Sequence, residues 1–170
     1  SVFGDLHAQV AATRTGHKRL IEILKKFGRE TLDVAVERIL EHGEQLARKA
    51  LRELPNGSWT AEDLLDDDGV SDDMIPMKVT VTIDDDRFLV DFTGSSDQVA
   101  GVVNASLAVS ASGAIIALKA LFDPDDPINQ GIFAPITFTA PPKTGFNAAP
   151  PVPWGAPAEI RRRPTSLTLP

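Results

Sequence analysis

The stretch MKVTVTIDDDRFLVDF, Met77 to Phe92, decides the fold. Met77, Val79, Val81 and Ile83 alternate with Lys78, Thr80 and Thr82; after three aspartates, Phe88, Val90 and Phe92 alternate with Leu89 and Asp91. A period of two sends every second side chain to one face, so this is a half-buried β-hairpin turning at a solvated Asp84-Asp85-Asp86. Val81 and Phe92 are expected to face the core and Thr82 the solvent.

Toward the C-terminus, Asn104 precedes Ala105 to Phe122, whose apolar and small residues surround most of the helix axis. That pattern predicts a helix buried on several sides, packed across the hairpin. Asp123-Pro124-Asp125-Asp126-Pro127 breaks it, and Ile136-Thr137-Phe138-Thr139 offers a further strand before Pro141-Pro142. Toward the N-terminus the period changes. Leu6, Val10, Thr13, His17, Leu20, Ile21, Leu24 and Phe27 recur at steps of three and four residues, the mark of an amphipathic helix. Gly28 closes it in the left-handed conformation glycine accepts. Leu32, Val36, Ile39, Leu40, Leu46, Ala47 and Leu51 form a second stripe that Pro55-Asn56-Gly57 stops. So short a link predicts an antiparallel helical hairpin. Gly43 interrupts the second stripe, through either a close approach or a local bend. The expected fold class is therefore α+β. A helical hairpin spans 1–55, an α+β portion spans 56–147, and 148–170 is a Pro- and Arg-rich tail, extended or loosely ordered.

Composition narrows the function. With 170 residues and 42% hydrophobic content, the chain is long enough to bury a core. A net charge of −7 argues against nucleic acid, whose binding relies on clustered Lys and Arg; the one basic run, Arg161-Arg162-Arg163, sits in the tail. No cysteine is present, which removes disulfides and thiolate sites and fits a reducing cytoplasm. The start at Ser1 shows no leader and fits an excised piece. Val102 to Phe122 is interrupted by Asn104, Ser106, Ser110, Ser112 and Gly113, so a buried helix is expected there and no membrane span.

No complete active site is legible. His7 and His17 lie about 80° apart around a helix, which rules out a one-turn zinc pair. Asp66-Asp67-Asp68-Gly69 with Asp72-Asp73 gathers hard oxygen ligands, yet an EF-hand register would put Leu64 and Ile75 at ligand positions. The loop is read either as a metal contact or as a turn whose aspartates bond the backbone. Gly94-Ser95-Ser96 lacks the frame of a nucleophile elbow and reads as a turn. Pro142-Lys143-Thr144-Gly145 has the Lys-Thr of a phosphate loop without its glycines.

Taken in order, Gly4-Asp5-Leu6-His7-Ala8-Gln9, Asp66-Asp67-Asp68-Gly69, Val90-Asp91-Phe92-Thr93-Gly94-Ser95-Ser96, Val103-Asn104-Ala105, Ala117-Leu118-Lys119, Asp123-Pro124 and Pro127-Ile128-Asn129-Gln130-Gly131 resemble the hydantoinase B/oxoprolinase family, which includes N-methylhydantoinase B-like and acetone carboxylase alpha-like subunits. The match runs from about residue 4 to 150, as an internal fragment. The resemblance implies a parent enzyme that opens cyclic amides such as hydantoins or 5-oxoproline at the expense of ATP, with a nucleotide-binding hydantoinase A-like subunit or domain as partner. It implies ATP and a divalent metal for the complete enzyme. None is expected on this fragment, because in the carboxylase relatives a His/Asp metal site lies upstream of where this chain begins. Asp66, Asp67, Asp68 and Asn104 are the candidate substrate-binding residues; no catalytic or metal-ligating residue is assigned. The fragment is expected to shape substrate or subunit contacts; a purely structural module, or part of a ketone carboxylase, is the alternative. Self-association is expected, with Leu118 or Leu121 near the contact.

Overall fold

The computed structural model describes residues 2–122, with only the backbone of 120–122, and residues 128–155. The Asp123–Pro127 break, the Leu121 side chain and the Arg161-Arg162-Arg163 run lie outside the described residues. The element order is α1 (Val2–Phe27), α2 (Arg29–Arg52), β1 (Gly57–Leu65), β2 (Ile75–Asp84), β3 (Arg87–Asp91), α3 (Leu107–Phe122), a short 3₁₀ turn (Gln130–Phe133) and β4 (Ile136–Thr139). Helices followed by a four-stranded mixed sheet make the chain α+β, as its patterning predicts. Two compact units divide at His42 and Gly43.

In the first unit, Gly28 stands between α1 and α2 at φ +80° and donates its N–H to Leu24 O at 2.9 Å. It terminates the helix as expected. The expected packing of one helix along the other is not made among the described residues: α1 buries no side chain, and Leu6, Val10 and Phe27 are 52%, 50% and 52% exposed. Sequence periodicity gave each stripe its face but no information about what covers it. His17, on the same stripe, is also exposed.

The second unit holds the core. The sheet runs in the order β1-β2-β3-β4; β1 and β3 flank β2 antiparallel, and β4 joins β3 in parallel. The register sets Val81 opposite Val90 and Ile83 opposite Phe88, so the odd-numbered residues of β2 and the Phe88-Val90 row share the buried face. Val81 and Phe92 are buried as the alternation predicts. On the opposite face Thr82 and Thr80 bond the hydroxyls of Ser58 and Thr60 at 3.0 Å each, and Lys78 pairs with Glu62 at 2.9 Å. Strand β1 was not expected. It occupies an edge, where charge at Asp63 on one face and apolar Leu64 on the other blurs the alternation.

Helix α3 buries Ser110, Gly113, Ala114, Ala117 and Leu118, while Ile116 stays 49% exposed. The C-terminal half of α2 adds Ala47 and Leu51, 3% and 0% exposed. Gly43 explains itself by close approach: a Cβ there would collide with the side-chain amide of Asn129. The acidic turn is not wholly solvated. Arg48 bonds both Glu44 at 2.7 Å and Asp86 at 3.0 Å, and Arg52 holds the other oxygen of Asp86 at 2.5 Å. No helix among the described residues is long and apolar enough to cross a membrane.

Candidate functional site

Of the four candidate residues, the structure brings two together. Asp68 lies in the loop between β1 and β2 and is 6% exposed; Asn104 precedes α3 and is 4% exposed. Asp68 Oδ1 accepts the N–H groups of Val70 and Ser71 at 2.8 and 2.7 Å, and Oδ2 accepts that of Gly101 at 2.8 Å. Asn104 Oδ1 accepts the Val99 N–H at 2.9 Å. Its Nδ2 donates to the carbonyls of Val99, Gly101 and Pro153 at 2.8, 2.9 and 3.1 Å. Gly101 thus gives its N–H to one candidate and its carbonyl to the other. It has to be glycine, since a Cβ there would overlap the backbone carbonyl of Asp68. The amides of Ser71, then Val70 and Gly101, hold the Asp68 carboxyl below the ordinary carboxylate range by bonding its charged form.

Asp66 and Asp67 remain on the surface, and Asp67 Oδ1 caps the Gly69 N–H at 2.8 Å. Among the described residues, no three His, Asp or Glu side chains converge to hold a metal. The bonds from Asp67 and Asp68 to backbone N–H groups form the acidic loop as a turn, with its buried carboxylate turned inward to the backbone.

The other motifs do comparable work. Ser95 Oγ donates to Lys78 O and accepts from Lys78 N, both at 2.9 Å, pinning the turn after β3 to β2. Ser96 N–H bonds Pro76 O at 2.9 Å, and its carbonyl takes the Gly145 N–H at 3.1 Å. Asn129 Oδ1 caps Gly131 N–H at 2.8 Å. Lys143, at φ +65°, sits in a tight loop whose Thr144 Oγ1 donates to Pro141 O at 2.8 Å. Residues 148–155 are tied down: Ala148 N–H bonds Ala105 O and Gly155 N–H bonds Val102 O, each at 2.9 Å. Sequence reasoning missed Gly101 and Ser110. Ser110 is fully buried, and its Oγ donates to Phe146 O at 2.8 Å; a serine amid the apolar residues of α3 was the available signal.

Beside this lattice lies a hollow of about 550 Å³, lined by Glu62, Asp63 and Leu64 of β1, Pro76, Met77 and Lys78 of β2, and Gly94. None of the four candidates lines it.

The model of the hydantoinase B/oxoprolinase family matches residues 1–169. A Pseudomonas sp. (strain NS671) protein, named as the B component of a D-/L-hydantoinase, is 37% identical over 163 residues, 89% of this chain and 28% of its own length. 5-Oxoprolinase 1 of Arabidopsis thaliana is 30% identical over 147 residues, 81% of this chain and 12% of its own. The crystal structure of an ATP-dependent caprolactamase from Pseudomonas jessenii superposes with a TM-score of 0.81 at 26% identity, over 93% of this chain and 28% of that one. An acetone carboxylase structure shares the fold, with a TM-score of 0.71 at 20% identity, over 81% of this chain and 20% of that one. The chain thus spans less than a third of the length of these relatives.

Proposed function

From a chain that belongs to the hydantoinase B/oxoprolinase family, we propose a scaffold section of the B-type component of an ATP-dependent enzyme that hydrolyses cyclic amides of the hydantoin or 5-oxoproline class. It works beside a nucleotide-binding A-like subunit or domain, in the cytoplasm. The Asp68–Gly101–Asn104 lock carries this reading. Of the four candidate substrate contacts, Asp68 and Asn104 spend their polar atoms on backbone groups, so their part is to fix loop geometry from which other residues reach the substrate. ATP and a divalent metal belong to the complete enzyme. Among the described residues none gather to hold the metal, because Asp68 is saturated by amides and no three ligating side chains meet.

The test compares two preparations. The purified 170-residue chain with ATP, magnesium and hydantoin or 5-oxoproline is expected to release no phosphate above a protein-free blank. In the full-length protein assembled with its nucleotide-binding partner, Asn104→Ala is expected to lower the melting temperature and leave KM within about twofold. Phosphate release by the chain alone would overturn the reading; so would a tenfold rise in KM at unchanged melting temperature, since that is the signature of lost substrate binding.

A further inference from the structure

Helix α1 carries a stripe that reads the same in both directions. Starting at Phe3, its seam positions advance by alternating steps of three and four residues to Phe27, the spacing of helices that pair along a left-handed supercoil. Paired from the ends inward, Phe3 matches Phe27, Leu6 matches Leu24, Val10 matches Leu20 and Thr13 matches His17. Aromatic meets aromatic, aliphatic meets aliphatic, and the polar residues are confined to the middle. Two copies laid antiparallel would meet like with like in every layer, and a slipped register would set Thr13 or His17 against an aliphatic side chain.

Exposure and charge agree with this. Phe3 is 70% exposed, Leu20 is 50% exposed, and no side chain of α1 is buried. Lys18, Arg19, Lys25 and Lys26 lie in the C-terminal half and Arg14 just before the middle, with Glu22 paired to Arg19 at 2.9 Å, whereas Asp5 lies near the start. Parallel pairing would crowd the cations of both copies within a Debye length of about 8 Å at physiological salt. Antiparallel pairing sends the Lys25-Lys26 pairs to opposite ends and brings Asp5 level with Lys25 of the other copy. Helix α1, about 39 Å long at 1.5 Å per residue, can present the whole seam at once. We propose that the chain forms a homodimer through antiparallel pairing of α1 with α1 of a second copy. Leu118, expected from the sequence to lie near such a contact, is 1% exposed and is spent on the core.

Light scattering of the full chain at about 100 μM, where an interface with a Kd near 1 μM is populated, is expected to give twice the 18.3 kDa chain mass. A single-chain mass would overturn the proposal. The double variant Val10→Asp/Leu20→Asp touches no buried side chain; it is expected to be monomeric with an unchanged melting temperature, and a persistent dimer would place the contact elsewhere and overturn it. Because the chain has no cysteine, Val10→Cys and Leu20→Cys report direction. Oxidation is expected to cross-link them only when the two variants are mixed. Cross-linking of Val10→Cys with itself would mean parallel pairing and overturn the antiparallel assignment.

Discussion

Helix α2 passes through both units of the chain and behaves differently in each. Before Gly43 no apolar side chain is buried: Val36 and Ile39 are 47% and 56% exposed and Leu32 and Leu40 half-buried; after it, Ala47 and Leu51 are 3% and 0% exposed. The stripe is continuous and the residue types are alike. What changes is the supply of partners: the second unit offers a sheet, α3 and the Asn129 side chain, while among the described residues of the first no side chain is buried. Amphipathic spacing states that a face is built to be covered; the rest of the chain, or another chain, determines whether it is.

The contrast can be tested first in the sheet. Val81→Asp buries a carboxylate without a partner and is expected to cost about 3 kcal/mol or more, whereas Thr82→Asp on the outer face costs under about 1 kcal/mol. Equal melting temperatures would show that the two faces are not distinct. Within α2 itself, Leu51→Ala is expected to lose about 2–5 kcal/mol and Val36→Ala less than about 0.5 kcal/mol, read from urea midpoints. A comparable loss at Val36 would mean that the first unit is packed in solution. The smallest effect concerns acid. The Asp68 carboxyl lies below its ordinary value in the folded state, so its stabilisation is complete above about pH 4, the ordinary value for aspartate, and fades as pH falls through the lowered one. Asp68→Asn sets an amide N–H₂ toward backbone N–H groups. It is expected to lower the melting temperature at pH 7 and to flatten this acid limb; parallel acid limbs for the two proteins would remove the carboxylate from the lock.

Legibility followed how local each signal was. The β2–β3 hairpin was readable because one face is buried and the other wet over adjacent residues, and β4 followed from four alternating positions. Edge strand β1 was not, since Trp59 on its inner face remains 48% exposed and Leu64 points outward at 48%. Asp68 and Asn104 were legible as notable residues, but their role depends on a meeting across 33 residues at Gly101, which no local pattern encodes. The Arg48–Asp86 tie was likewise invisible, because every aspartate of the turn looks equally solvated in sequence.

The parallel placement of β4 beside β3 has a kinetic consequence. Strands β1, β2 and β3 follow one another and can zip up as a meander, each pairing nucleating the next. The β3–β4 ladder must wait until the whole segment from Phe92 to Pro135, α3 included, has looped back, and loop-closure entropy must be met before those contacts contribute. Folding of the second unit should therefore be limited by this last closure. Until it occurs, Phe88 and Val90 present an open apolar edge, the interval in which a newly made chain is most vulnerable to pairing with a neighbour.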